Sequence, residues 1–199
     1  MRPICGLLVL AFAVGVAREA KAQARRAELL CHRTANEDVP ENTLESLEQA
    51  ALLGCDVVEL DVRRTLDGVV ILNHDGFLER LTDGVGEVET TYYEDMRLRD
   101  VGGWMGERFT GMRIVTFAEA LRVAKQRGIR IAVDIKVRET GADILKVVRQ
   151  EGMLGQVEFD GEWEDVRALY PAAHNPGGEL WTLTPALSET HEGASLILA

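Results

Sequence analysis

The feature that most constrains this chain is a rhythm. From Glu28 onward, short runs rich in β-branched residues alternate with segments of helical periodicity. "AELLC" (27–31) reads as a strand, and "NTLESLEQAALLG" places Leu44, Leu47 and Ala51 on one helical face. Asn42 is the expected N-cap of that helix, with Glu45 reaching back, and Gly54 its stop. "CDVVELDV" is a second strand and "GVVILNH" (68–74) a third. "FAEALRVAKQRG" sets Phe117, Ala120, Leu121 and Ala124 on one face, "IRIAVDI" (129–135) is the next strand, and "ADILKVVRQEG" the next helix. "QVEF", the helix "EWEDVRALY" and a doubtful strand "LWTLT" continue the series. Strands alternating with helices of this length predict an α/β fold built on a parallel sheet.

Two passages break the rhythm. Only "RRTLDG" separates Val62 from Val69, too short for a crossover helix. Its Asp67-Gly68 pair suggests a hairpin, while six extended residues could reach about 20 Å and so return the chain for parallel pairing. Residues 75–115 are glycine-rich and without clear periodicity, which predicts an insertion on one face of the domain.

"VVELDV" (57–62) poses the chemical question, because a core strand carries Glu59 and Asp61 two positions apart. Side chains alternate across a strand, so both carboxylates share one face. Burying them together costs several kcal/mol each, to order of magnitude, unless a metal ion, a basic side chain or water at a strand end relieves it. The neighbouring strands end in similar residues. His32 follows the first, His74 ends the third, and Asp134 and Lys136 end the fourth at the same i, i+2 spacing. Catalytic groups of parallel barrels come from the carboxyl ends of strands.

Glu59, Asp61 and Asp134 can therefore supply three oxygen ligands to one hard divalent cation, Mg2+ or Ca2+. His32 and His74 titrate near neutrality and suit general acid and base work. Arg33 and Lys136 would contact an anionic substrate, and a phosphodiester suits that pairing of metal with cations. Blander readings exist for each residue: solvated carboxylates at a strand end, structural histidines, an Asp134–Lys136 ion pair. Four strand ends in succession make them a poorer account together. "GVGEV" follows no suitable strand for a nucleotide loop, CxxC, HExxH and GxSxG are absent, and a zinc amidohydrolase would need paired histidines on one strand.

The formal net charge is −11, so nucleic acid and anionic membrane surfaces are disfavoured partners. The opening "MRPICGLLVLAFAVGVAREAKAQA" has the pattern of a secretory signal peptide over residues 1–24, with "AKA" or "AQA" as the cut site. Its apolar run is too short for a membrane-spanning helix. A secreted or periplasmic protein without a transmembrane segment is expected. Cys31 and Cys55, near opposite ends of adjacent strands, are expected more than about 7 Å apart and hence free, buried thiols.

"HR", then "PENTLESLEQAALLGCDVVELDVRRTLDGVVILNHD", then "LERLTDGVGEV" and "VDIK" together resemble the glycerophosphodiester phosphodiesterase family, from about His32 to Phe159. The resemblance implies a TIM-type (β/α) barrel without a helix after the second strand, with a small insertion after the third. That would make the strands flanking "RRTLDG" parallel. It also implies metal ligation by Glu59, Asp61 and Asp134, acid/base catalysis by His32 and His74, and phosphate contacts from Arg33 and Lys136. The implied reaction converts glycerophosphodiesters to glycerol 3-phosphate and an alcohol.

Three departures from the family pattern stand out. Thr34 replaces the glycine of "HRG", which would strain the backbone if φ is positive there. Asp134 stands where the family usually has Glu, although the related spider-venom phospholipases D share an Asp there. Finally, a full barrel typically takes about 250 residues, so residues 25–199 form a C-terminally incomplete barrel whose open sheet edge could drive oligomerisation. The alternatives are a non-catalytic remnant that binds phosphodiesters or a partner, and a phospholipase D acting on lysophospholipids.

Overall fold

The computed structural model describes residues 28–160. The expected signal peptide, the helix "EWEDVRALY", "LWTLT" and the tail lie outside the described residues. Strand β1 (Leu30–Cys31) leads to helix α1 (Leu44–Leu53), then strands β2 (Val57–Arg64) and β3 (Val70–Leu72). The insertion follows, with a short helix α2 (Tyr93–Met96) between single 3-10 turns. Helix α3 (Phe117–Arg127), strand β4 (Arg130–Ile135), helix α4 (Gly141–Glu151) and strand β5 (Val157–Asp160) complete the order.

Four strands run parallel in the order β1-β2-β4-β5. This is the α/β arrangement of a TIM-type barrel wall, with helices on its outer face. Val58, Leu60 and Val62 alternate with Glu59 and Asp61, and form the main core with Ile131, Val133, Ile135, Phe117 and Leu121. Each such aliphatic side chain, fully buried, contributes about 1.5–3 kcal/mol. The opposite face of the sheet carries a small apolar layer of Leu30, Val57 and Ala132. Above that layer stand the polar residues of β2 and β4.

The hairpin reading of "RRTLDG" holds, and parallel pairing does not. β3 runs antiparallel to β2, with Val62 opposite Leu72 and Arg64 opposite Val70. Thr65 N–H donates to Val69 O at 2.9 Å and Gly68 N–H to Thr65 O at 3.0 Å, closing the turn. Gly68 takes φ 84°, where a Cβ would be strained. The turn chemistry thus overrides the barrel rule locally, and the parallel series passes directly from β2 to β4. Residues 75–115 form an insertion with its own small core of Leu78, Val88, Met96 and Ile114, clustered with Ile71.

The cap of α1 also differs from expectation. Thr43, not Asn42, is the N-cap, and its hydroxyl exchanges hydrogen bonds with Ser46. Asn42, at φ 57°, is turned to another task described below.

Cys31 and Cys55 form a disulfide, with Cα atoms 6.0 Å apart, rather than two free thiols. The expectation assumed straight strands. In the fold, Asp56 N–H and Val57 N–H both donate to Leu29 O, so the chain bends into β2 and returns Cys55 towards Cys31. Closing 24 residues of separation stabilises by about 3 kcal/mol in the chain-entropy account. Reductant is therefore expected to lower the thermal midpoint of the wild-type chain and to leave that of Cys31→Ala/Cys55→Ala unmoved. Equal reductant responses in calorimetry would count against the bridge.

Candidate active site

β2 and β4 place Asp61 directly opposite Asp134, with Glu59 two positions earlier on the same face. Carboxylate oxygens of Glu59, Asp61 and Asp134 lie within 4.8 Å of one another. Glu59 and Asp61 are only 6% and 1% exposed, whereas the Asp134 side chain is one-third exposed. Burial, then the charge of Asp61, push the Glu59 carboxyl well above the usual range. Two cations offset the repulsion. Lys136 Nζ pairs with Asp61 Oδ1 at 2.8 Å and with Asp134 Oδ2. Burial opposes its charge, but the bonds to Asp134 and Asp61 prevail and raise the amine above its ordinary value. Arg33 Nε lies 3.6 Å from Asp61 Oδ2, and Arg33 N–H donates to Glu59 Oε2 at 2.7 Å.

Three carboxylates thus face two cations, so ionising all three leaves an excess negative charge that burial of Glu59 opposes. Lys136 is the charged partner of Asp61 Oδ1, and Asn42 and Arg33 lie against Oδ2. A donor set of three carboxylates, two of them buried and all within ligand spacing, fits a hard divalent cation.

His32 Nε2 lies 4.0 Å from Glu59 Oε2. Burial, then the neighbouring Arg33 charge, lower its pKa. The hairpin brings His74 back to the same end of the sheet, where Asn73 N–H donates to Asp61 O at 3.1 Å. His74 itself touches none of the three carboxylates. Its Nδ1 lies 2.7 Å from Asp75 Oδ1. Hydrogen bonds from Arg80 outweigh burial and hold the Asp75 carboxyl down at about 2. Asp75 is therefore ionised at neutral pH and can only accept, so Nδ1 of His74 carries the proton and Nε2 is left available.

Two site-building residues escaped sequence reasoning. Asn42 Nδ2 donates to Asp61 Oδ2 at 2.8 Å, and Asp61 N–H donates to Asn42 Oδ1 at 3.2 Å. Glu41 Oε1 lies 3.5 Å from Arg33 Nη1. Both stand in the quoted "PENT" stretch. An Asn just before a Thr-x-x-Ser capping box is the signal that could have separated Asn42 from capping. The Thr34 concern is also realised, since Arg33 and Thr34 take φ 47° and 69°. Thr34 N–H donates to Glu59 O at 3.1 Å, and its hydroxyl meets Ser46 Oγ.

Acidic, basic and imidazole groups thus gather on a TIM-type barrel wall, at the carboxyl ends of its parallel strands and at the end of the antiparallel β3. Comparison with known proteins places the chain further. Residues 32–165 match the profile of the glycerophosphoryl diester phosphodiesterase family, and the chain belongs to that family. A glycerophosphodiester phosphodiesterase of Caldanaerobacter subterraneus subsp. tengcongensis is 35% identical over 108 residues, which cover 54% of this chain and 44% of that protein. The crystal structure of a glycerophosphodiester phosphodiesterase from Agrobacterium tumefaciens superposes with a TM-score of 0.67 at 30% identity, covering 74% of this chain and 63% of that one. An Oleispira antarctica phosphodiesterase, solved in complex with the product sn-glycerol-3-phosphate, gives 0.66 at 29% identity, covering 73% and 63%. The match thus spans about half the length of the relative from Caldanaerobacter.

Asn42→Ala would strand one buried carboxylate oxygen and one backbone N–H of Asp61. Urea unfolding is expected to show a loss of about 2 kcal/mol or more. An unchanged midpoint would mean that water replaces the amide without cost.

Proposed function

We propose that this protein hydrolyses glycerophosphodiesters to glycerol 3-phosphate and an alcohol, at the site formed by Glu59, Asp61, Asp134, Arg33, Lys136, His32 and His74. The convergence of three carboxylates within 4.8 Å of one another, beside Arg33 and Lys136, carries this reading. Family membership supports it.

Glu59, Asp61 and Asp134 would hold a Mg2+ or Ca2+ ion, whose chemistry there is to polarise a phosphoryl oxygen and offset the developing charge. Arg33 and Lys136 bind the remaining phosphate oxygens and orient the phosphorus. His32, kept neutral by burial and Arg33, accepts the proton of the glycerol hydroxyl adjacent to the phosphodiester. That oxygen bonds to phosphorus as the bond to the departing alcohol breaks. His74, as the imidazolium with Nδ1–H held by Asp75, gives its second proton from Nε2 to the alcohol and is left as the neutral Nδ1–H ring. Water then opens the resulting cyclic phosphate with the proton movements reversed, which yields glycerol 3-phosphate.

Lys136 bridging Asp61 and Asp134 favours one second reading, a phosphodiester-binding site neutralised from within and lacking turnover. Export to an oxidising compartment, secreted or periplasmic, belongs to the same proposal. The Cys31–Cys55 disulfide supports it. Among the described residues no helix is long and apolar enough to cross a membrane.

The deciding experiment follows glycerol 3-phosphate release from glycerophosphocholine with calcium, with magnesium and with a chelator. Release that needs metal and falls at least about 100-fold in His74→Ala is expected. Metal-independent binding without release would select the second reading. Lysophosphatidylcholine cleaved in preference would point to the phospholipase D alternative.

Glu59→Gln separates the two states of the site. Its carboxyl is raised in the fold, so the metal-free protein loses stability as pH climbs from the ordinary carboxylate range towards the raised value, and the loss stays at its full size above it. The variant is expected to melt higher than wild type in chelator at pH 7. It should also lose the stabilisation that saturating calcium or magnesium gives wild type, about 2.7 kcal/mol at a hundredfold excess over Kd. Metal shifts of equal size in both proteins would remove Glu59 from the ligand set.

A further inference from the structure

His74 and Arg33 act on opposite ends of the proposed reaction, yet they do not touch. They are joined through one side chain of the insertion. Arg80 donates from Nε and Nη2 to the two carboxylate oxygens of Asp75, the second bond at 2.9 Å. From its other edge, Nη2 and Nη1 reach Glu41 Oε1 and Oε2 at 2.9 and 3.4 Å. Asp75 in turn holds His74 Nδ1 at 2.7 Å, and Glu41 lies 3.5 Å from Arg33 Nη1. A single guanidinium therefore holds two carboxylates, each through two donors. One sets the imidazole ring and the other the phosphate-facing arginine.

We propose that Arg80 is a positioning residue that aligns His74 and Arg33 with each other, and that presenting it is a function of the 75–115 insertion. This rests on the proposed phosphodiesterase reaction. The geometry requires a guanidinium. An ammonium is a point charge that can satisfy one carboxylate, but cannot hold two through two donors each. Arg80→Lys keeps a cation beside both carboxylates, with Arg80 43% and Glu41 8% exposed, so the change bears on alignment more than on charge. Alignment matters, since small misplacements of reacting groups cost rate steeply.

The test compares wild type with Arg80→Lys, Arg80→Ala and Asp75→Asn on glycerophosphocholine with calcium. Arg122→Lys serves as a control, because Arg122 makes a two-bond pair with Glu151 at 3.1 and 2.8 Å away from the site. Arg80→Lys is expected to lose about 10- to 100-fold in kcat, the range typical of residues that orient a first layer of ligands. Its thermal midpoint should stay near that of the control. Asp75→Asn added to Arg80→Lys should cost much less than it costs alone, because both act through His74. Wild-type kcat and KM in Arg80→Lys, or full additivity, would overturn the proposal.

Ring-nitrogen chemical shifts of His74, measured in uniformly 15N-labelled protein, supply a readout that needs no turnover. With the ring titrated to its neutral form, wild type is expected to show the single tautomer protonated at Nδ1, and Arg80→Lys a mixture of tautomers. Identical spectra would overturn the alignment role. Failure of wild type to release glycerol 3-phosphate would instead remove the proposed reaction while the spectra still decide the role of Arg80.

Discussion

The structure around the site depends on one constraint, the burial of Asp61. At 1% exposure its carboxylate has almost no water to solvate it, so its oxygens and neighbouring backbone must find partners in the protein. They recruit Asn42 from the β1–α1 loop, Arg33 from the same loop and Lys136 from beyond β4. Those demands explain the loop's shape. Asn42 reaches Asp61 because it leaves the helix cap to Thr43 and takes a left-handed backbone. Arg33 presents both its N–H and its side chain to β2 because it also turns left-handed. Consecutive non-glycine residues at positive φ cost of order 1–3 kcal/mol each. The carboxylates repay this through the Arg33–Glu59 hydrogen bond, the Asp61 contacts, and the tie from Thr34 N–H to Glu59 O.

Thr34 shows how such strain is accommodated. A β-branched side chain is poorly suited to φ 69°. Its hydroxyl, however, lies among Ser46 Oγ and Arg33 O at the start of α1, where glycine would leave nothing. The departure from the family's "HRG" pattern thus exchanges backbone ease for polar contacts that couple the loop to the helix. The shorter Asp134 is accommodated more simply. It sits opposite Asp61 in register, and its oxygen stays within the 4.8 Å cluster without the extra methylene.

The strand and helix order and the carboxylate cluster were legible because each rests on period and register. Alternation in "VVELDV" assigned Glu59 and Asp61 to one face, and the i, i+2 spacing in "VDIK" marked Asp134 and Lys136 as their counterparts. What misled was any inference that assumed straight, uniformly parallel strands. The disulfide arises from a bend shared by Asp56 and Val57 at Leu29 O, which spacing does not encode. The β2–β3 hairpin was written in Asp67-Gly68, and only the barrel expectation argued against it. An Asn before an apolar helix usually caps, which is why the sequence around Asn42 points to capping. The pull of a buried Asp61 nineteen residues away was invisible until the fold brought them together.

The insertion, finally, is more than a loop between β3 and α3. Leu78, Val88, Met96 and Ile114 give it a core that clusters with Ile71 of β3. Asp100 accepts N–H bonds from Gly102, Gly103 and Gly111, which pins the glycine-rich turns. A Cβ at Gly102 would meet Phe109 O at 2.1 Å, so that turn is packed and not slack. Arg108 Nη2 donates to Asp38 O at 3.2 Å, a second bond, beside that of Arg80, across to the β1–α1 loop. A segment with its own core and two such bonds can hold the β1–α1 loop in a fixed position. Because that loop carries Arg33 and Asn42, the packing of the insertion and the charge balance at Asp61 are parts of one mechanical unit.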